Sequence, residues 1–422
     1  NHSENVINAV WYDPCVGGGI FPIAIADYLL TKGLGADDIF TRILGTDINP
    51  LFVEATKIRL ALVLSKDDTK KFLPYYNKLT GISCEDSLQA HPEERNMFSV
   101  DKPPVDIVVG NPPYIRSNSI PIDTKETLRE LYPSIWTGTA DLYMFFIAHG
   151  LNALKPGGVL CYVSPATFQR TSSGYAIRNY ISKRASVDVV YDFDELPVFE
   201  NVGSHISVYI LSKVERAVPE TDYILFSGLP DKYPLSKHGL KVFPIKLPNK
   251  TGATWNFHPD NFSILKFIEK NTAPLRSFAT IYSGIKTGLK EAYELNEEEH
   301  TEILRDPRSK NLVYPLLKPR HIERWSLNWG NTYQIVVQKG QVMDTGSKAY
   351  EHLLKFKDRL ERRTDLRQGG AWYSLRDCAY MDLFNAPKIV YRDISTTPKF
   401  AVDTKGMMVV DGAFFIPTED YF

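Results

Sequence analysis

The stretch Val105–Tyr114, V-D-I-V-V-G-N-P-P-Y, constrains the fold more than any other part of this 422-residue chain. It opens with a short apolar run, which predicts a buried β-strand. The strand must end before Pro112 and Pro113, because neither proline can donate a hydrogen bond to a sheet. The chain therefore leaves the sheet through a rigid turn. That turn presents the amide of Asn111, backbone carbonyls and the aromatic ring of Tyr114.

This turn has the groups needed to bind a planar amino group, whose nitrogen lone pair is delocalised into a ring. If the Asn111 side-chain oxygen and the Pro112 carbonyl each accept one N–H bond, they stabilise the positive charge that grows on the nitrogen during methyl transfer. Tyr114 offers a π-face on which a base lifted out of a duplex can stack. The alternative is an ordinary Asx-Pro turn that closes a strand, and the tetrapeptide alone does not separate the two.

Composition excludes several classes of protein. The formal net charge is −1, so any surface for a polyanion must be a local patch. The four cysteines have no C-x-x-C spacing, which argues against a zinc site and against a disulfide framework. We therefore expect no metal and a location in the reducing cytoplasm. No apolar run approaches the roughly 18 residues of a membrane helix, so we expect no membrane partner.

Three segments that precede the Val105 strand carry residue types found in nucleotide sites. The first, Asp13–Phe21 (D-P-C-V-G-G-G-I-F), lies between a strand predicted at 6–12 and a helix, an arrangement that brings backbone N–H groups close to a cofactor. Glycines are also common in plain turns. The second, a strand at 43–48, contains Asp47 where a doubly wound sheet places an acid for a ribose, although a position beside a helix N-cap explains it too. The third, a strand at 81–84, leads to Asp86, either an acceptor for an adenine amino group or a solvated loop acid.

In this order, the four motifs resemble the S-adenosylmethionine-dependent N6-adenine DNA methyltransferases of restriction-modification and phage-defence systems. The resemblance extends to residues 139–143 and 155–168. It implies an α/β fold with a doubly wound, Rossmann-like methyltransferase sheet, mostly parallel with an antiparallel last strand. It also implies S-adenosylmethionine as the cofactor and double-stranded DNA as the partner, with base flipping of the target adenine.

The resemblance assigns roles to individual residues. Those implied at the target amine are Asn111, Pro112, Pro113 and Tyr114. Phe199 is implied on the other face of the adenine, and an ordinary core position is its alternative. Those implied around the cofactor are Asp13, Pro14, Cys15, Gly17, Gly19 and Phe21 at the methionine end, Asp47 and Ile48 at the ribose and adenine, Asp86 and Ser87 at the adenine amino group, and Asn111.

The second half of the chain predicts a recognition domain. Residues 283–288, 316–322 and 388–393 resemble parts of the C-terminal specificity domain of TaqI-like enzymes. Residues 301–380 contain 15 Lys and Arg and nine Asp and Glu, a local net charge of +6. Basic residues near Trp372 and Tyr373 suit phosphate and base contacts, and a solvated helix face is the alternative. These basic residues are Arg359, Arg362, Arg363 and Arg367.

We therefore expect a catalytic methyltransferase domain at 1–215, a connecting segment at 216–255, and a mixed α+β DNA-recognition domain at 256–422. We expect both ends of the chain to be cut from a longer protein. The family motif that covers the cofactor, and any nuclease domain of the same full-length chain, would lie upstream. The glycine loop, the Asn111 turn and the recognition domain follow each other in the γ order.

Two other functions fit part of this pattern. The same tetrapeptide serves enzymes that methylate RNA bases or protein glutamine, which would need only a small substrate-binding appendage. A DNA-binding specificity module with a vestigial catalytic half would also contain these segments. Against the second stands the intact set of glycine, acid and Asn-Pro-Pro-Tyr motifs, since sequence drift would be expected to spoil one of them.

Overall fold

The computed structural model describes residues 6–66, 68–89, 104–199, 205–214, 220–229, 240–248, 252–257, 264, 267–268, 270–363, 365–366, 370–376 and 378–420. The chain divides into two compact units, Asn1–Phe267 and Ile268–Phe422. We call them the N-terminal unit and the C-terminal unit. Within the described ranges, no helix is both long and apolar enough to cross a membrane.

A nine-stranded sheet forms the centre of the N-terminal unit among the described residues. Its strands are β1 (Trp11–Asp13), β2 (Ile43–Asp47), β3 (Ile82–Cys84), β4 (Val105–Gly110), β5 (Leu154–Pro165), β6 (Ala185–Asp192), β7 (Ile206–Lys213), β8 (Thr221–Leu225) and β9 (Val242–Ile245). Their order across the sheet is β3-β2-β1-β4-β5-β7-β6-β8-β9. Strands β1 to β5 are parallel to one another, and β7 lies antiparallel between β5 and β6. The predicted fold class, a doubly wound and mostly parallel sheet, is confirmed. The antiparallel strand β7 is not the last strand, because β8 and β9 follow it in the same sheet.

Helices join the parallel strands in the N-terminal unit. They are α1 (Ile20–Thr31), α2 (Ala36–Phe40), α3 (Pro50–Ser65), α4 (Thr69–Lys78), α5 (Ile122–Leu131), α6 (Leu142–Ala153) and α7 (Tyr175–Arg184). Helix α3 begins as its sequence predicts, because Asn49 caps the Leu51 N–H and Pro50 occupies the first turn. Helix α6 is buried on almost every side, which explains its nearly uninterrupted apolar sequence.

Two sequence predictions differ from the structure in this unit. The strand predicted at 6–12 begins only at Trp11, and residues 6–8 are helical. The Val10 N–H bonds the Asp106 carboxylate at 2.8 Å instead of a neighbouring strand.

The segment 216–255, predicted as a connection, instead contributes β8 and β9 to the sheet. Its Trp255 and the adjoining Phe257 are buried in the same apolar core as β4 and β5, because they pack on Phe168 and Tyr223.

The C-terminal unit contains two four-stranded sheets and a short hairpin among the described residues. The strands are β10 (Tyr282–Ser283), β11 (Glu294–Leu295), β12 (Val313–Leu317), β13 (Ile322–Glu323), β14 (Ser326–Leu327), β15 (Tyr333–Ile335), β16 (Lys388–Arg392), β17 (Phe400–Asp403), β18 (Met408–Val409) and β19 (Ala413–Pro417). The helices are α8 (Lys290–Tyr293), α9 (Glu297–Leu304), α10 (Lys348–Leu354) and α11 (Lys357–Glu361). The sheet orders are β10-β19-β16-β17 and β11-β15-β12-β18, and β13 pairs with β14. The unit has its own apolar core, as a separate mixed α+β domain requires.

Candidate functional site

Four polar side chains lie at one edge of the N-terminal sheet. Asp13 and Asp47 are the last residues of β1 and β2, and Asp86 and Asn111 closely follow the ends of β3 and β4. These four strands are adjacent and parallel, so their carboxyl ends meet at the same edge. In open α/β sheets this edge is where ligands bind. The structure therefore brings together four residues that are spread over about a hundred positions of sequence.

The glycine loop between β1 and α1 is held against β2 and α3. Gly17 and Gly19 have φ angles of 51° and 81°, a region that favours glycine. A Cβ atom on Gly19 would lie 2.8 Å from the Thr56 hydroxyl oxygen, so the loop and α3 approach closely. That hydroxyl donates to the Gly17 carbonyl at 2.9 Å, and Arg59 donates to the Gly18 carbonyl. Thr56 and Arg59, three residues apart on α3, are supports that the sequence did not reveal.

Asp47 links the glycine loop to the start of α3. One carboxylate oxygen accepts the Gly17 N–H at 2.9 Å, and the other accepts the Asn49 N–H at 2.9 Å. Each oxygen retains a further lone pair, so a diol could still bind. The next side chain, Ile48, is 70% exposed, which is unusual for isoleucine and provides an apolar surface beside the carboxylate.

Ser87 supports the loop rather than facing the cavity with its hydroxyl. It donates to the Pro14 carbonyl at 2.7 Å and lies 2.6 Å from the Thr46 hydroxyl. The chain of buried polar groups continues from Thr46 to the Tyr12 hydroxyl at 3.0 Å and on to His149 at 3.4 Å. The role implied for Ser87 at an adenine amino group stays a prediction. The Asp86 carboxylate accepts the Leu88 N–H at 3.0 Å with one oxygen.

Asp13 is a buried carboxylate with one oxygen occupied. The Oδ1 atom accepts the Cys15 N–H at 3.0 Å, whereas Oδ2 has no hydrogen-bond partner among the described residues. Burial, and secondarily repulsion from Asp47, raises the pKa of the Asp13 carboxyl to about 7. A Cβ atom on Gly110 would lie 2.9 Å from Oδ1, so only glycine allows the carboxylate this close to the end of β4.

Cys15 adjoins both Asp13 and the Asn111 turn. Burial raises the pKa of its thiol well above the ordinary value, and the neighbouring Asp13 carboxylate acts in the same direction. The thiol therefore stays protonated at neutral pH, which argues against a role as a nucleophile. Within the described residues, no group of three or more His, Cys, Asp or Glu side chains is arranged to bind a metal ion.

In the turn after β4, an exposed amide stands beside partly buried rings. The Asn111 amide is exposed, and its oxygen accepts the Tyr114 hydroxyl at 2.6 Å. The Tyr114 ring meets the Tyr143 ring edge-on, with 6.5 Å between centroids, and the Tyr143 hydroxyl lies 2.9 Å from that of Thr167. Burial raises the pKa of the Tyr114 hydroxyl, so this group remains a hydrogen-bond donor. The amide and the Tyr114 ring are thus fixed relative to each other.

A cavity of about 600 Å³ opens at this edge of the sheet. This volume lies in the range of small-molecule and cofactor sites. Its lining includes the predicted residues Pro14, Cys15, Asp47, Ile48, Asp86, Ser87, Asn111 and Pro113. Helix α5 contributes Thr124, Thr127 and Leu128 to the wall. The sequence did not point to this wall, although residues 122–131 carry an amphipathic pattern.

Other predicted site residues lie outside the lining of this cavity. Asp13 ends β1, and Gly17 and Gly19 belong to the loop that follows it. Phe21 packs with the apolar cluster that includes Ile25 and Val53. Phe199 is half-buried and is also absent from the lining. Pro112 and Tyr114 form the turn beside it without contributing to the wall.

The basic cluster predicted in the C-terminal unit divides into different environments. Arg363 is buried, and its guanidinium donates to the carbonyls of Thr287 at 3.0 Å and Ser374 at 2.6 Å. It therefore braces the fold and does not face a phosphate. Arg362 is exposed and Arg359 lies 3.6 Å from Glu291, while Arg367 lies outside the described residues. The sequence spacing of these arginines did not reveal the burial of Arg363.

The chain is similar to restriction-modification proteins. A model of the Eco57I restriction-modification methylase family matches residues 41–199. The type II methyltransferase M.HindII of Haemophilus influenzae is 24% identical over 257 residues, which are 54% of this chain and 48% of that protein. M.BstVI of Geobacillus stearothermophilus is 23% identical over 98% of this chain and 76% of its own length. The resemblance to restriction-modification methyltransferases is thus confirmed, while the TaqI-like character of the C-terminal unit stays a prediction.

A solved structure supports the fold over almost the whole chain. The type IIL restriction-modification enzyme MmeI, determined in complex with DNA, matches 99% of this chain with a TM-score of 0.63 and 12% identity. At this identity the likeness concerns the fold alone. The chain spans 57% of that structure and about half of M.HindII.

Proposed function

Because residues 41–199 match the Eco57I restriction-modification methylase family, we propose that the chain is part of a site-specific DNA methyltransferase of a restriction-modification or phage-defence system. It transfers a methyl group from S-adenosylmethionine to N6 of an adenine flipped out of duplex DNA. The observation that carries this proposal is the exposed amide of Asn111 at the edge of a cavity bordered by Asp47, Ile48 and Asp86.

The cavity has the groups that S-adenosylmethionine requires. The Asp47 carboxylate accepts the ribose hydroxyls, Ile48 packs on the adenine, and Asp86 accepts its amino group. The glycine loop allows close approach of the backbone at the methionine end. When bound, the cofactor supplies a methyl group made electrophilic by its sulfonium.

Asn111 prepares the target nitrogen for attack. Its Oδ1 atom and the Pro112 carbonyl accept the two N6–H bonds and stabilise the positive charge that develops on the nitrogen. The Tyr114 hydroxyl occupies one lone pair of Oδ1, and the second remains for the adenine. The proton leaves N6 after the methyl group has arrived, so no general base is needed before transfer. Pro113 keeps the turn rigid.

The flipped adenine is held between aromatic rings in this proposal. The Tyr114 ring stacks on one face and Phe199 on the other, and base–aromatic stacking of this kind contributes about 1–3 kcal/mol per base. The N-terminal unit then forms the catalytic domain, because β8 and β9 belong to its sheet. The C-terminal unit reads the duplex sequence. The protein acts in the cytoplasm.

Methyl transfer from labelled S-adenosylmethionine to unmethylated duplex DNA tests the proposal. The full-length protein is incubated with the DNA, and digested nucleosides are identified by mass. We expect N6-methyl-2′-deoxyadenosine. Label found only on RNA or on protein glutamine would favour the first alternative function. Site-specific DNA binding without cofactor binding would favour the vestigial module.

A further inference from the structure

Strands β13 and β14 form a hairpin whose two-residue turn carries an exposed tryptophan. Ile322 pairs with Leu327 and Glu323 with Ser326, which leaves Arg324 and Trp325 as the turn. The Trp325 side chain is 76% exposed. Tryptophan is usually largely buried, because its indole has a large apolar area. An indole in this position requires an explanation.

The backbone at Trp325 is strained. Its φ angle is 67°, and only four non-glycine residues among the described part of the chain have a positive φ. Glycine or asparagine is the usual residue at such a turn position, because a β-carbon is disfavoured there. A bulky aromatic residue in a conformation of this kind destabilises the turn. The sequence therefore keeps an indole at the tip against the local preference of the turn.

The hairpin is rigidly fixed at its base. Arg392 donates to the Ile322 carbonyl and to the Glu323 carboxylate, both at 2.7 Å. Lys399 donates to the other oxygen of Glu323 at 2.6 Å, and the Trp325 N–H bonds the Phe400 carbonyl at 2.7 Å. The tip is thus presented on a braced support, and little entropy would be lost if it inserted into a partner.

The surroundings of the tip are basic. Residues 318–326 and 391–399 contain five Lys and Arg and two Asp and Glu. Arg320 and Arg324 are exposed and have no carboxylate partner among the described residues. The Arg324 guanidinium carbon lies 5.9 Å from the centre of the Trp325 ring. An aromatic wedge beside guanidinium groups that have no carboxylate partner among the described residues suits a partner that offers both stacked rings and phosphates.

We propose that the Arg324–Trp325 tip is a wedge that enters duplex DNA, where the indole stacks on a base pair at a locally opened step. Arg324 and Arg320 then bind the flanking phosphates. This inference rests on the proposed function and names base-contacting residues for it. An apolar side chain inserted between base pairs unstacks and bends the duplex, which lowers the cost of extruding a base.

Trp325→Gly in the full-length protein tests the backbone strain and the proposed DNA contact separately. We expect thermal stability to stay equal or to rise by about 2 °C, because glycine relieves the backbone strain. We expect affinity for a duplex that carries the target site of methylation to fall by about 10-fold or more, since the stacking contact is lost. A purely structural role would move both quantities in the same direction. Trp325→Phe, which retains a ring, should bind DNA nearly as tightly as the wild type.

Anisotropy of a labelled duplex gives the affinity, and permanganate reactivity of thymines reports the opened step. Val342→Ser replaces another exposed apolar residue of the same unit and should change neither. Arg324→Gln should reduce the slope of log affinity against log salt by about one.

Unchanged DNA affinity and permanganate pattern in Trp325→Gly, with an active wild type, would overturn the wedge and leave the proposed function intact. Loss of self-association or of protein binding, with DNA affinity retained, would also overturn it in favour of a protein partner. A wild type that neither binds nor methylates duplex DNA would overturn both proposals.

Discussion

Each unit buries a carboxylate, and the surroundings of the two carboxylates differ. Asp403 in the C-terminal unit is 1% exposed and forms an ion pair with Lys388 at 2.6 Å. Its carboxylate also accepts hydrogen bonds from the backbone N–H groups of Lys405 and Met407. Asp13 in the N-terminal unit is equally buried but has one oxygen without a partner among the described residues. A buried carboxylate whose oxygens all have hydrogen-bond partners stabilises a fold. A buried carboxylate oxygen without a partner is typical of a site that binds a ligand or performs catalysis. The comparison predicts that polar substitutions at the N-terminal site affect function and that those in the C-terminal core affect stability.

Asn111→Ala should give the largest effect of all. Among the described residues the exposed amide bonds only the Tyr114 hydroxyl, so we expect an unchanged melting temperature. We expect methyl transfer to fall by at least about 10³-fold, below detection. Duplex binding should also persist. Incorporation of labelled methyl groups and calorimetry measure the two quantities. Retained turnover would contradict the role given to this amide.

Lys388→Met tests the other side of the comparison. It leaves Asp403 as an uncompensated buried charge, and we expect the free energy of unfolding to drop by about 3–5 kcal/mol. The double variant Lys388→Met/Asp403→Leu removes both charges and should recover much of this loss. Urea denaturation of the wild type and both variants provides the measurement. Equal losses in the single and double variants would mean that packing, and not charge, governs the site.

Asp13→Asn should change how stability depends on pH. The carboxyl has a pKa of about 7 in the folded protein, above its ordinary value of 3.8, so folding favours its protonated form. The protonated carboxyl makes its full contribution to the free energy of unfolding below about pH 4. That contribution is lost as the pH rises towards 7, so the free energy of unfolding falls by about 2–4 kcal/mol. Asparagine should abolish that fall, so the variant should be more stable than the wild type at pH 8.

Denaturant unfolding at pH 5 and pH 8 measures this difference. The substitution should also weaken S-adenosylmethionine binding at pH 8, because the sulfonium is positive, and should spare S-adenosylhomocysteine, whose sulfur is neutral. Parallel pH profiles of the variant and the wild type would show that burial does not perturb Asp13.

The sequence predicted the features that depend on local pattern and on strand topology. Asp13, Asp47 and Asn111 were predictable because each comes directly after an apolar strand segment, and parallel strands bring their carboxyl ends together. The Ser87 hydroxyl was not predictable, since its acceptor, Pro14, lies 73 residues away. The burial of Arg363 depends in the same way on Thr287, 76 residues earlier. Long-range contacts of single side chains leave no periodic signal in sequence.

The place of β8 and β9 in the sheet was not predicted, for a related reason. Their surroundings are rich in proline, glycine and charge, which locally predicts a connection. Strand β8 exists because β6 offers a parallel partner and because Tyr223 packs on Phe257 in the core. Tertiary packing thus overrides a weak local preference.

The smallest predicted effects separate backbone strain from side-chain contact in the glycine loop. Gly17→Ala places a β-carbon at a φ of 51° with no atom within 4 Å, and we expect a loss of about 1 kcal/mol from strain alone. Gly19→Ala adds a contact 2.8 Å from the Thr56 hydroxyl, so we expect a loss of about 2–3 kcal/mol. Thermal unfolding measures both.

A double-mutant cycle with Thr56→Ala isolates the contact. Thr56→Ala alone should cost about 1 kcal/mol, because the hydrogen bond to the Gly17 carbonyl is lost. In that background the hydroxyl and the Cγ2 methyl are gone, and only the β-carbon of residue 56 remains, 3.1 Å from the new β-carbon. Gly19→Ala should therefore cost less than it does in the wild type. An unchanged cost would mean that the φ of 81° alone requires glycine at this position. The smaller cost would mean that Thr56 limits the space at Gly19, so α3 sets how closely the glycine loop can pack against it.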